Sequence, residues 1–213
     1  MKKFQEIVPL GFLCMVAQDL EKMGMRNNSY PFDWVITDFS DVIAIIKNGF
    51  SEFLQDVCQD EEHDNVYHDV KTGVAYYHDF FPDKTIEQQI DAVRVKYSRR
   101  IARFYETAKN PTLYIRFVRN ERDLAYIEDS FSEIEDIFKN LNSQSECVYI
   151  LSKELAQTTK LRKYFVAEGL DHPILSSGEL RGFIKKTVAI SKRKYLKNRI
   201  RYIKKALKKR LGR

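Results

Sequence analysis

Among the side chains that could do covalent chemistry, Cys14 has the most telling surroundings. It follows an apolar run, Ile7-Val8-Pro9-Leu10, and Gly11, after which Leu13, Ala17, Leu20 and Met23 recur at helical spacing until Gly24 closes the pattern. A strand, a tight turn and a helix are expected, with the thiol in the helix's first turn. Unpaired amides and the positive helix pole favour the thiolate there, and the thiolate is the nucleophilic form. The competing reading is a small buried hydrophobe. His78 falls near the end of Val74 to Pro82, a run that reads as a strand entering a turn, where bases are often displayed. Asp33 sits among aromatics in Ser29 to Trp34 and needs a partner, which Arg26 or the His78 imidazole could supply. It is therefore either the acid that orients an imidazole or a structural, Arg-paired acid. Asp79 competes for the orienting role, although strand neighbours point to opposite faces.

These residues belong to a wider pattern. Gly11, Cys14, Ala17 and Leu20 form G-x-x-C-x-x-A-x-x-L, followed by Arg26 and Ser29-Tyr30-Pro31-Phe32-Asp33-Trp34. Tyr77-His78-Asp79-Phe80 and the segment from Lys96 to Phe104 come later, with a looser match from Tyr114 to Arg119. Together they resemble an uncharacterised bacterial family described as papain-like cysteine peptidases. The resemblance implies a Cys and His pair, here Cys14 and His78, acting on a peptide or other acyl substrate. The early strand, G-x-x-C and helix also resemble, more distantly, a coenzyme-A-binding family of capsular polysaccharide biosynthesis. That implies the alternative of an acyltransferase with an acyl-coenzyme A donor. A third reading is non-enzymatic, a membrane-surface adaptor in which Cys14 is only core.

Arginines are the candidates for holding a substrate: Arg26, Arg99, Arg116 and Arg119. Arg99, Arg100 and Arg103 cluster mid-helix, suited either to an anionic group such as phosphate or carboxylate or to pairing with the body's acids. Arg116 lies inside the clearest strand, Leu113 to Arg119, and must be paired or face a cleft. His63 and His68, spaced H-x4-H among acids, lack a helical frame and a further ligand, so no metal is expected. Neither a P-loop nor a dinucleotide fingerprint occurs, and no cofactor is expected outside the coenzyme A alternative.

The elements that must position these groups follow from periodicity. A strand is expected over 4–10 and a helix over 12–23, then a short helix through Val42 to Lys47 and another over 51–57. Residues 59–71 read as an exposed loop. Thr85 caps a long helix in which Ile86, Ile90, Val93, Tyr97, Ile101, Phe104 and Ala108 form one buried stripe. Next come the strand at 113, one helix carrying Leu124 to Leu141, a strand over 146–151, a helix over 154–168 and a short strand over 172–175. Strand and helix in alternation argue for an α/β, three-layer sandwich with a mostly parallel sheet. Cys14 and the loop after Val118 should emerge at the carboxyl ends of its strands. Such a sheet is not the papain architecture, so the papain likeness would describe the Cys and His pair rather than the fold.

At 213 residues, 44% hydrophobic and 13% aromatic, the chain suits one domain with a real core. Three widely spaced cysteines indicate neither a disulfide framework nor a zinc site and suit a reducing cytoplasm. Glu6 and Pro9 interrupt the N-terminal apolar run, so no signal peptide is expected, and no segment approaches the roughly 20 apolar residues of a membrane span. The net charge of +6 is uneven: residues 185–213 hold 14 basic and no acidic residues, leaving 22 basic against 30 acidic before them. An α/β unit over 1–180 and a basic amphipathic helix over 181–213 are expected. Leu196, Ile200, Ile203, Leu207 and Leu211 form its apolar stripe. It suits an anionic membrane at the inner face of the cell, docking on the body or on an acidic partner, or, with less support, nucleic acid.

Overall fold

A computed structural model describes residues 3–210, Lys209 by its backbone alone. In chain order the first half contains β1 (Glu6–Pro9), α1 (Met15–Lys22), β2 (Val35–Ile36), α2 (Phe39–Lys47), β3 (Val57–Gln59), β4 (Tyr67–Asp69), β5 (Val74–Tyr76) and α3 (Ile86–Ala108). The second half contains β6 (Thr112–Val118), α4 (Glu121–Asp129), α5 (Phe131–Leu141), β7 (Glu146–Leu151), α6 (Lys153–Thr158), β8 (Phe165–Val166), α7 (Pro173–Ser176), α8 (Gly178–Thr187) and α9 (Lys192–Arg210). Strands β1, β6, β7 and β8 pair in that order, all parallel.

Both faces of this sheet are covered, because alternate side chains of its strands point opposite ways. Leu113, Ile115 and Phe117 pack with Val16 and Leu20 of α1 and Leu180 and Ile184 of α8. Tyr114 and Val118 pack on the other side with Val42, Val93, Phe104, Leu124 and Phe138 from α2 to α5. The result is the expected three-layer α/β arrangement with a long C-terminal helix.

A second sheet was not foreseen. Strands β2, β5, β4 and β3 form an antiparallel sheet of two or three residues each, with Val35 opposite Tyr76 and Tyr67 opposite Tyr76 on the other edge. The strand expected from Val74 is present as β5, ending at Tyr76, but its partners are only two or three residues long and carry no period-two signal, so 59–71 read as loop. Other expectations also change. Phe50 and Leu54 have positive φ, which prevents a helix over 51–57. Ser130 interrupts the helix expected from Leu124 to Leu141, although the apolar spacing runs on across it. The helix expected over 154–168 ends at Thr158, and Phe165 and Val166 join the sheet instead. The short strand expected over 172–175 is helix α7, with Pro173 at its first turn, where a missing N–H costs nothing. The C-terminal helix is broken after Thr187, where Ala189 N–H donates to the Phe4 carbonyl (2.7 Å) and Val188 bridges to Phe4.

The two sheets meet at one buried charge. Arg116 of β6 is fully buried and its guanidinium is ion-paired with Asp123 of α4, with Nε 3.1 Å from Oδ2. It also donates to the carbonyls of Leu10 after β1 and Thr37 after β2, each at 2.9 Å. Asp123 in turn accepts the Phe39 N–H that starts α2 (2.8 Å). Burial pulls the guanidinium's proton affinity down while Asp123 pushes it up. Removing one member would leave the other charged and alone in the core. Arg116→Met is expected to destabilise the protein by about 3–5 kcal/mol in denaturant unfolding. A loss of under about 1 kcal/mol would show that the pair does not carry the junction.

Candidate functional site

The connection from β1 to α1 is left-handed for three residues in succession: Gly11 (φ 81°), Phe12 (φ 48°) and Leu13 (φ 66°). Glycine adopts this readily, whereas a residue with a side chain costs about 1–3 kcal/mol there. The turn is held in place. Leu10 N–H donates to Ile115 O (2.8 Å), Leu13 N–H donates to Val35 O (3.1 Å), and the Phe12 ring lies under the guanidiniums of Arg116 (5.6 Å) and Arg119 (5.5 Å). A Cβ on Gly11 would stand 3.3 Å from Arg116 Nη1 and from Thr37 Cγ2, so the buried arginine and this glycine fit each other.

The turn ends at Cys14, the N-cap residue of α1, which is half-buried. No side chain caps the helix, so the amides of its first turn are left available. Gln18, one turn on, donates from Nε2 to Cys14 Sγ at 3.0 Å. The sequence had signalled this residue only by its i, i+4 spacing from the cysteine. Burial pushes the Cys14 pKa up and outweighs the backbone hydrogen bond that pulls it down. The expectation of a thiolate favoured by position alone is therefore corrected.

His78 is exposed, just past β5, and its imidazole meets the edge of Trp34, ring centroids 6.2 Å apart at 82°. Cys14's neighbour Leu13 bonds Val35 of β2 while His78, just past β5, meets the preceding residue Trp34, so the pairing of β2 with β5 links the two segments. The imidazole makes no hydrogen bond among the described residues.

Neither candidate acid orients it. Asp33 is fully buried, ion-paired with Arg26, and accepts the Tyr30 N–H at 3.0 Å. Burial raises its pKa against the pull of Arg26. Asp79 is ion-paired with Lys96 and accepts the Tyr97 hydroxyl at 2.8 Å. Aromatic packing from β5 onto α3 turns Asp79 inward while His78 faces out, so both expectations for an orienting carboxylate are corrected.

The arginines separate in the same way. Arg116 is sequestered in the core pair and cannot reach a substrate, which corrects its place among the substrate-binding candidates. Arg99 is exposed on α3, with Nε bonded to its own helix at Val95 O (3.3 Å). Arg119 is exposed over Phe12, at the turn that leads to Cys14. Arg26 lies over Trp34 at 5.5 Å and donates to Ser29 at 3.0 Å. Trp34 also receives Lys205 of α9, 5.9 Å from its ring, so one half-buried indole touches His78, Arg26 and the C-terminal helix. His63 and His68 both bond Asp60, at 3.0 and 2.7 Å, holding its carboxyl far below the usual range. Among the described residues no group of three or more His, Cys, Asp or Glu is placed to hold a metal ion.

Comparison with known proteins adds three findings. Residues 5–148 match the model of a family described as "Putative papain-like cysteine peptidase". An uncharacterised protein of Acanthamoeba polyphaga mimivirus is 26% identical over 166 residues, an alignment covering 66% of this chain and 73% of the relative. No solved structure matches.

A thiol kept neutral by burial has a checkable signature. Alkylation by iodoacetamide proceeds through the thiolate, so its rate at Cys14, followed by peptide mass, should rise with pH and inflect above the ordinary thiol value of about 8.5. An inflection below that value would mean that a preformed thiolate–imidazolium pair exists in the resting protein.

Proposed function

Because the chain belongs to the family described as papain-like cysteine peptidases, we propose that it is a thiol acyl hydrolase in which Cys14 is the nucleophile and His78 the general base. The observation that carries this reading is the left-handed Gly11-Phe12-Leu13 turn. Backbone held at such a cost directly before a reactive side chain is a known way of presenting a nucleophile between a strand and a helix.

In the proposed reaction Sγ attacks the substrate carbonyl carbon as its proton passes to the imidazole of His78. Negative charge develops on the carbonyl oxygen, where the uncapped amides of α1 and Gln18 Nε2 are the available donors. Collapse of the adduct expels the amine, which takes the proton from His78 and leaves a thioester on Cys14. Water, deprotonated by His78, then releases the acid and restores the thiol. A sugar hydroxyl in place of water would make the same site an acyltransferase. With Asp33 and Asp79 engaged by Arg26 and Lys96, the site works as a dyad without an orienting carboxylate. An activated ester, p-nitrophenyl acetate, should acetylate Cys14. Cys14→Ser should abolish the adduct, and His78→Gln should slow its formation by about a hundredfold or more. An adduct on Cys58 or Cys147, or an unchanged rate in His78→Gln, would remove the basis for the dyad.

The C-terminal helix supports a second part of the reading, that the protein works at an anionic membrane surface. Among the described residues no helix is long and apolar enough to cross a membrane. Helix α9 nevertheless turns its apolar stripe outward: Leu196 is 59% exposed, Ile200 44%, Ile203 48% and Leu207 51%, among lysines and arginines. Leu211 lies outside the described residues. Stripe docking on the body, one of the expected arrangements, is replaced by docking through the polar face. Asn198 donates to Gly24 O (3.1 Å), Arg199 to Lys22 O, and Lys205 pairs with Glu21 (3.1 Å). An exposed apolar stripe flanked by cations is suited to the headgroup region of acidic lipids. Binding to phosphatidylserine vesicles should fall about tenfold or more in the double variant Ile200→Asp with Ile203→Asp. Equal binding by that variant would assign vesicle attachment elsewhere.

A further inference from the structure

At the opposite end of α1 from Cys14, about 10 Å along the helix axis, lies a cavity of about 280 Å³ enclosed by the 24–29 loop, α3 and α9. Arg26, Arg103 and Arg201 line it, with Ser29 and the buried amide of Asn198. Three guanidiniums from three separate parts of the chain converge there, a recurring way of building an oxyanion site.

The charges around the cavity do not cancel. Arg26 is offset by Asp33, the lining carboxylate Glu21 by Lys205, and nearby Glu6, which accepts from Asn27, by Lys194 at 3.3 Å. Arg103 and Arg201 have no hydrogen bond or ion pair among the described residues. Two positive charges are thus left facing the same space. Arg26 Nε is buried without a hydrogen-bond partner, a donor of the kind that native proteins rarely leave unsatisfied. A phosphate monoester carries about −1.5 to −2 at neutral pH and three strong acceptor oxygens, which matches both the excess charge and the donors. The volume admits a phosphate group with only a small organic body, near the lower end of ligand sites.

We propose that this cavity binds the phosphate group of a monoester ligand, gripped by Arg103, Arg201 and the free Nε of Arg26. The site is separate from the thiol and does not rest on its chemistry. It also gives α9 a role beyond its outward stripe, because Arg201 and Asn198 close the cavity only when the helix is docked.

The test uses the full chain and inorganic phosphate, followed by ³¹P line broadening and thermal shift against sodium chloride at matched ionic strength. Phosphate should bind and stabilise, and Arg103→Gln and Arg201→Gln should each raise Kd about tenfold. Both side chains are exposed and unpaired, so unfolding without phosphate should be unchanged. Lys208→Gln, an equal charge loss on the same helix outside the cavity, should leave Kd as it is. Vesicles of phosphatidic acid in phosphatidylcholine identify the ligand's source. Competition between them and inorganic phosphate, lost in the two arginine variants, assigns the site to a lipid headgroup. Phosphate binding without such competition assigns it to a soluble phosphate ester. Stabilisation by chloride equal to that by phosphate, or the same Kd in both arginine variants as in the parent, would overturn the proposal.

Discussion

A guanidinium with no access to water sets the geometry of this protein. Arg116 can remain charged in the core only if its donors are met, and they are met by Asp123 and by the carbonyls that end two different strand segments, Leu10 and Thr37. Such a pair is poor evidence for stability as such, since well-packed hydrocarbon often does as well. Its value lies in specification. The charge fixes where β1 stops, where β2 leads into α2, and how α4 sits against both, because any other arrangement strands a buried charge. The Gly11 turn is built against that same side chain, whose Nη1 leaves only 3.3 Å to where a Cβ on Gly11 would stand, so the placement of Cys14 is downstream of the Arg116–Asp123 pair.

Two opposing effects then act on the thiol. A backbone hydrogen bond favours negative charge on the sulfur, whereas desolvation opposes it and wins, leaving the pKa raised. A neutral thiol is unreactive until a base removes its proton, which gives the uncommitted imidazole of His78 its place in the proposed chemistry. Left-handed Phe12 and Leu13 each cost about 1–3 kcal/mol, so the turn cannot be an accident of local preference. It persists because Leu10, Phe12 and Leu13 are each anchored to another element.

Helix α9 reverses the usual orientation of an amphipathic helix. Its polar side faces the body because residues 1–184 carry the excess of acid and the helix the excess of base. Gly24 makes the approach close enough for hydrogen bonds: its φ is positive, and a Cβ there would meet Arg199 carbons at 2.8 Å. One glycine therefore serves both as the end of α1 and as the seat of α9. Trp34 completes the contact, since its indole takes Arg26 and Lys205 by cation–π attraction and His78 at its edge.

How far the sequence reaches can be judged residue by residue. Period-two and helical spacings are local, so β1, β6, β7, the Thr85-started α3 and the α/β class could be read directly, as could the residues of the Cys14 and His78 pattern. The split charge of body and tail was equally plain. Of the antiparallel sheet only β5 could be read; β2, β3 and β4 were hidden because they are too short to show a period, and the break at Ser130 because the apolar spacing passes through it. The sequence left Arg116 either paired or facing a cleft, Asp33 with either Arg26 or His78, and the stripe of α9 either on the body or outward, and it could not choose among them. Those outcomes depend on pairings between residues far apart in the chain, Arg116 with Leu10 and Thr37 or Lys205 with Glu21, and a charge's partner is chosen by folding. The sequence by itself determined the inventory of elements and reactive groups; only the tertiary structure decided their partners, because desolvation and hydrogen bonding act on neighbours in space.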